Sequence, residues 1–244
     1  MRVIFLGTAH GLPEPNRKFS CIMIEVGENR YFVDMGCNAA EEMATRGVSF
    51  DSIKAIFITH MHSDHTSGLL PFVDLCNWYY KDANPKYYLP EPLEKSVDAI
   101  ANWITLNGSV PIREHNFNAV REGVFYDDGV IKVTAYKTLH SDMSYAYLVE
   151  AEGKRLFFSG DLTNKGPEKD FPVEVLENEI DLAVLEAAHF PATAYLPIIR
   201  ESNTIKKLLF THYSPTFTKS AYEAKEQLSN IDCDFAYDGT EVQI

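Results

Sequence analysis

The six residues His60-Met61-His62-Ser63-Asp64-His65 place four groups able to bind a transition metal within six positions. They directly follow the apolar run Ile53-Lys54-Ala55-Ile56-Phe57-Ile58, which has the length and β-branched content of a buried strand. His60 and His62 lie two apart, so in extended backbone they project to the same side. Asp64 and His65 are consecutive, and Ser67-Gly68-Leu69-Leu70 reads as turn chemistry entering a helix, so the chain bends and presents this pair from another direction. A tetrahedral zinc site needs three or four converging ligands, and this segment alone could supply two ligands to each of two sites. A lone histidine at a strand end is more often a hydrogen-bonded structural residue. Burying three imidazoles and a carboxylate in one turn without a metal partner would be costly, and the motif therefore predicts a metal centre.

Later apolar runs end in the same kinds of residue. The run 130–136 leads toward His140, 154–158 ends at Ser159-Gly160-Asp161, 180–185 ends at Glu186, and 206–210 ends at Thr211-His212. Strand ends at one rim of a layered α/β fold are where sites assemble, so these residues can meet although they are far apart in the chain. His10 has no neighbouring donors, and His115 and His189 fall outside the clearest rim positions; all three are left out of the metal set. Asp34 closes a strand at Asp34-Met35-Gly36 and reads equally as a turn cap or as a residue holding a ligand from behind. Ser63 reads as a turn residue.

Periodicity further predicts a strand over 3–6, an irregular loop over 7–20, a hairpin of 21–26 with 30–33, and a helix over 38–47 stopped by Gly47. Helices are expected over 67–81, 91–106 and 219–229, a strand over 86–89, and a strand, turn and strand over 235–242. Trp78, Tyr79 and Tyr80 are read as packing residues. No Pro/Gly/Ser-rich linker divides the 244 residues, which predicts one domain over residues 1–244. The 22 Lys and Arg against 35 Asp and Glu leave a net charge of −13, which disfavours nonspecific binding to nucleic acid or anionic membrane. No eighteen-residue apolar run predicts a membrane span. The first apolar run is too short for a secretion signal, and Cys21, Cys37, Cys76 and Cys233 form no CxxC pair; the expectation is a cytoplasmic protein with reduced, buried thiols.

The segment 60–65 matches the HxHxDH signature of the metallo-β-lactamase superfamily, and Ser159-Gly160-Asp161 resembles its glycine-aspartate motif. Phe5-Leu6-Gly7-Thr8, the loop 13–17 and Leu209-Phe210-Thr211-His212-Tyr213-Ser214-Pro215 look most like the ribonuclease Z branch. The resemblance covers almost the whole chain. It implies an α/β fold, a four-layer αββα sandwich with the site at one edge of the paired sheets. It assigns His60, His62 and His140 to one metal and Asp64, His65 and His212 to the other, with Asp161 bridging. Two divalent cations are implied, zinc first, with manganese and iron accepting the same donors. A homodimer is plausible on the same grounds.

Two departures qualify the resemblance. Ribonuclease Z enzymes carry a histidine-glutamate-alanine-threonine motif whose histidine assists catalysis, where this chain has Leu185-Glu186-Ala187-Ala188; His189 is the residue that could substitute for that histidine. They also carry a long basic arm, typically between the ligands matching His140 and Asp161, which here are separated by twenty residues. The resemblance implies a hydrolase whose shared, metal-activated hydroxide attacks phosphorus or a carbonyl carbon. Asp64 and Glu186 are the carboxylates given catalytic roles, Glu186 by orienting His65 or another ligand. The leading expectation is a phosphodiesterase acting on a small or nucleotide-type phosphodiester, cyclic nucleotides included. The alternatives are an ester, lactone or thioester hydrolase, a ribonuclease Z-like processing nuclease, and a noncatalytic anion-binding protein.

Overall fold

Strand Cys21–Val26 is buried at every position, as happens only when both faces of a sheet are covered. Its residues sort by parity: Ile22, Ile24 and Val26 join one apolar cluster, while Cys21 and Met23 join another. The same sorting runs through the computed structural model, which describes residues 1–106, 108 and 111–244. Among these, the strands are β1 (Arg2–Gly7), β2 (Cys21–Val26), β3 (Asn29–Val33), β4 (Ile53–Phe57), β5 (Lys86–Leu89), β6 (Phe117–Ala119), β7 (Gly123–Asp127), β8 (Lys132–Thr138), β9 (Ser144–Ala151), β10 (Lys154–Phe158), β11 (Leu182–Glu186), β12 (Lys207–Thr211), β13 (Asp232–Phe235) and β14 (Glu241–Gln243). The helices are α1 (Ala39–Arg46), α2 (Ser63–Thr66), α3 (Leu69–Trp78), α4 (Leu93–Thr105), α5 (Leu196–Ser202) and α6 (Thr218–Gln227).

Two seven-stranded sheets result, ordered β14-β1-β2-β3-β4-β5-β6 and β13-β12-β11-β10-β9-β8-β7. Each is antiparallel in one part and parallel in the other: β3 to β6 and β10 to β13 pair in parallel. Between the sheets lies a shared core containing Phe5, Tyr31, Val33 and Phe57 from the first and Tyr147, Leu156, Phe158 and Val184 from the second. The outer face of the first sheet packs on α1, α3 and α4 through residues such as Met43, Phe72 and Ile104. That of the second packs on α5 and α6 through Ile199, Ala221 and Ala224. The layers are therefore αββα, the expected sandwich.

Helix α1 has the signals expected of it: the Asn38 side chain accepts from Glu41 N, Glu41 and Glu42 occupy the first turn, and Gly47 ends it at φ 67°,. Elsewhere the structure departs from the sequence reading. The helix expected over 67–81 is the shorter α3, Leu69–Trp78, and a separate turn of helix, α2, precedes it and carries Asp64 and His65. Tyr79 is 78% exposed and so is not a packing residue, whereas Tyr80 stacks on Phe50 with ring centroids 3.7 Å apart. The terminal strands also separate, β13 pairing with β12 in one sheet and β14 with β1 in the other. All four cysteines are free and buried, as expected.

Candidate metal centre

The seven predicted donors come together along the seam between the sheets. His60 and His62 follow β4, Asp64 and His65 sit on α2, and His140, Asp161 and His212 follow β8, β10 and β12. The seam is tied just ahead of the motif, where the Tyr147 hydroxyl donates to Ile58 O at 2.6 Å and Tyr145 N donates to Thr59 O at 3.0 Å. On the other side, α2 nests against the end of β3. A Cβ on Gly36 would lie 1.8 Å from Asp64 O, and one on Gly68 would lie 1.7 Å from Cys37 O. Only glycine permits these approaches.

Two groups of donors form. His60, His62 and His140 offer ligand atoms within 4.8 Å of one another, as do Asp64, His65 and His212. Asp161 Oδ2 lies between the groups, 3.6 Å from His60 Nε2, 3.7 Å from His140 Nε2, 3.5 Å from His65 Nε2 and 3.4 Å from His212 Nε2. Asp64 Oδ2 is 3.5 Å from His65 Nε2 and 3.7 Å from His212 Nε2.

The remaining ring nitrogens explain the orientations. His65 Nδ1 donates to Asp34 Oδ2 at 2.6 Å, which leaves Nε2 facing the centre. Thr59 Oγ1 donates to the same carboxylate and stands 3.1 Å from His60 Nδ1, and His140 Nδ1 donates to Leu162 O at 3.3 Å. Metal-binding histidines are held in this way. Asp34, at φ 59°, and His212, at φ 51°, both adopt left-handed backbone, a conformation costing about 1–2 kcal/mol that concentrates at functional sites.

The donors fit a cation on the structure's own terms. His62 Nδ1 is 3.0 Å from His60 Nε2 and 3.1 Å from His140 Nε2, so three nitrogens converge on one point. The buried His65 Nε2 has no hydrogen-bond partner, and an orphaned buried polar atom is expensive unless something else satisfies it. Burial, reinforced by His65, pushes the His60 imidazole down to about 2, so it stays neutral and able to ligate. Burial alone would raise the Asp64 and Asp161 carboxyls, but His65 and His212 hold both below the ordinary carboxylate range.

Two readings from the sequence are corrected. Glu186 does not orient His65, whose Nδ1 is taken by Asp34. Its carboxylate instead accepts from Leu162 N at 2.9 Å, Ala188 N at 2.8 Å and His189 Nδ1 at 2.9 Å. His189, set aside as structural, turns into the site: its Nε2 is 3.8 Å from Asp161 Oδ2, and it forms a donor group with His140 and Asp161. Burial works against its protonation, yet Glu186 lifts its pKa to about 9. The signal for it was its spacing, three residues beyond a strand-end glutamate. His10 pairs with Glu14 at 2.8 Å, and His115 is exposed.

A cavity of about 880 Å³ opens beside this cluster, between the loops that carry His62 and His140. Met61, Leu69, Pro92, Ile100, Trp103 and Met143 line it, with Lys95 in its wall. Among the described residues no helix is long and apolar enough to cross a membrane.

Comparison with known proteins agrees with this architecture. The family described as Anti-Pycsar protein Apyc1 matches residues 1–231. Ribonuclease Z of Cyanothece sp. is 28% identical over 156 residues, or 63% of this chain and 48% of that protein; the chain spans about half the length of the first curated relatives it matches. The metallo-β-lactamase fold protein YhfI from Bacillus subtilis superimposes with a TM-score of 0.79 at 17% identity, covering 99% of both chains. A diphosphatase of the PhnP family does so with a TM-score of 0.73 at 18% identity, covering 100% of this chain and 97% of that one. The chain belongs to the Anti-Pycsar protein Apyc1 family, in the ribonuclease Z-like branch of the metallo-β-lactamase superfamily.

Proposed function

We propose that this protein is a metal-dependent phosphodiesterase acting on a small or nucleotide-type phosphodiester, with residues 1–244 working as one domain. One observation carries the reading: two donor groups flank Asp161, and His62 of the first lines an apolar cavity large enough for a nucleotide,. His60, His62 and His140 would hold one cation and Asp64, His65 and His212 the other, zinc being the first choice for imidazole and carboxylate. Bound there, two divalent cations would supply a water acidified toward a pKa of about 7 and positive charge opposite the phosphoryl oxygens.

The chain's own residues supply the rest. Asp34 and Leu162 O fix which nitrogen His65 and His140 present. Glu186 holds the His189 ring by Nδ1, so Nε2 is placed to pass a proton to the leaving oxygen, the task of a general acid. Met61, Met143 and Trp103 offer thioether and indole surfaces to a flat organic group, and Lys95 offers a charge to an anionic one.

A transfer RNA nuclease draws support from the names of the curated relatives. The residues between His140 and Asp161 are taken up by β9, β10 and their connecting turn, which leaves no room there for a gripping arm, and the charge of −13 also weighs against it. The test is turnover by zinc-loaded protein of bis(p-nitrophenyl) phosphate, a cyclic nucleotide, a transfer RNA precursor and a lactone. The first two should be cleaved, with activity at least ~100-fold lower in Asp64→Ala. Cleavage of the lactone alone, or equal rates in Asp64→Ala, would overturn the reading.

A further inference from the structure

We infer that Asp170 is a positioning residue that fixes His140 relative to Asp161; the inference rests on the metal reading proposed above. Asp170 follows the 3-10 turn Pro167–Lys169 and lies outside both donor groups. Its Oδ2 accepts from Leu139 N at 2.8 Å and from Thr163 N at 3.0 Å. Leu139 immediately precedes His140, and Thr163 lies two residues beyond Asp161. A single carboxylate oxygen therefore joins the two chain segments that carry these donors.

The Leu139 side chain is 61% exposed, so packing does not hold that residue. Among the described residues the segments are also linked by Thr138 Oγ1 donating to Asp161 O at 3.1 Å and His140 Nδ1 donating to Leu162 O at 3.3 Å, the second a long bond. Without Asp170, two backbone N–H groups lose their acceptor, and regaining one from water requires the segments to part. His140 would then drift from Asp161, while Asp64, His65 and His212, carried by other segments, would keep their places.

Asp170 Oδ1 is buried and has no partner, so one oxygen does all the hydrogen bonding. That asymmetry distinguishes a hydrogen-bond role from a charge role. An asparagine can accept both N–H groups through its amide oxygen and set its NH₂ where the idle oxygen stands. A glutamate keeps the charge but moves the oxygens out of register by one methylene.

The experiment is zinc affinity by competition with a chromophoric chelator, at a temperature where every variant is folded. Asp170→Ala and Asp170→Glu should each bind zinc ~10–100-fold more weakly at one of two sites, the range for loss of a group that orients a ligand. Asp170→Asn should stay within about threefold of wild type on the same scale. In a His140→Ala background, Asp170→Glu should cause no further loss, because the ligand it positions is already gone. Undiminished affinity in Asp170→Glu, equal losses in Asp170→Asn and Asp170→Glu, or an undiminished loss in the His140→Ala background would each overturn the inference. If Asp170→Ala does not fold, the glutamate and asparagine variants decide alone. Wild-type protein that binds no zinc would instead refute the metal reading itself.

Discussion

His65 Nδ1 lies 2.6 Å from Asp34 Oδ2, and the same carboxylate accepts from Thr59 N at 2.8 Å. Asp34 thus holds one candidate ligand directly and reaches a second, His60, through the Thr59 hydroxyl. Asp34→Asn keeps a residue suited to φ 59° but weakens its hold on His65. Zinc affinity should fall ~10–100-fold while the fold survives. Chelator competition beside circular dichroism checks this.

His189→Gln should leave zinc content unchanged and lower kcat ~10²–10³-fold on a cyclic nucleotide, as expected when a general acid is removed. A p-nitrophenyl ester, whose leaving group needs little protonation, should lose much less. Comparing the two substrates, with metal analysis of the same samples, tests the role of the Glu186–His189 pair.

Gly36→Ala and Gly68→Ala each drive a methyl group into backbone oxygen, at 1.8 and 1.7 Å. Relief requires moving α2 away from the end of β3. Each should cost at least ~2–3 kcal/mol of stability, at the upper end for overpacking. Each should also weaken zinc binding at the group containing Asp64 and His65. Urea denaturation with metal titration distinguishes the two effects.

Asp128 accepts from the hydroxyls of Tyr31 at 2.7 Å and Tyr126 at 2.8 Å, and so links β3 of one sheet to β7 of the other. Burial would raise its pKa, but the amides of Ile131 and Val130 and the Tyr31 hydroxyl together depress it. A depressed carboxylate contributes stability above its unfolded pKa of about 3.9 and loses it as the pH falls through the lower folded value. Asp128→Asn should therefore be ~1–2 kcal/mol less stable than wild type at pH 7, allowing for partial exposure. The gap should shrink below about pH 4, as urea titrations at pH 7 and pH 3.5 would reveal.

Much of this could be read from the chain because its signals are local. His60 to His65 lie within six residues, and His140, Asp161 and His212 each follow a run whose apolar content marks a strand end. Helix α1 carries its own cap and stop. Residues whose roles depend on approach from elsewhere were not legible in the same way. Asp34 meets His65 across 31 positions, and Asp170 reaches Leu139 across another 31; its strand end leaves Asp34 open between a turn cap and a residue behind a ligand, and no local pattern announces Asp170. The part proposed for His189 depends on how the chain turns after Glu186, which no local pattern gives. The separation of β13 from β14 was hidden because strand partners are chosen by the assembled sheets. Tyr79 shows the limit of composition: an aromatic residue at a helix end resembles core until the neighbouring surface is known.

The ties from Tyr145 and Tyr147 to the chain just ahead of His60 have a consequence for how such a protein diversifies. They make the gap between the sheets a ruler for the gap between the donor groups. Phe57, Tyr147 and their neighbours are then more than filler, since a gain or loss of bulk among them would be transmitted to the chemistry as a change in spacing. Residues that never meet a substrate could in this way tune which cation the protein prefers.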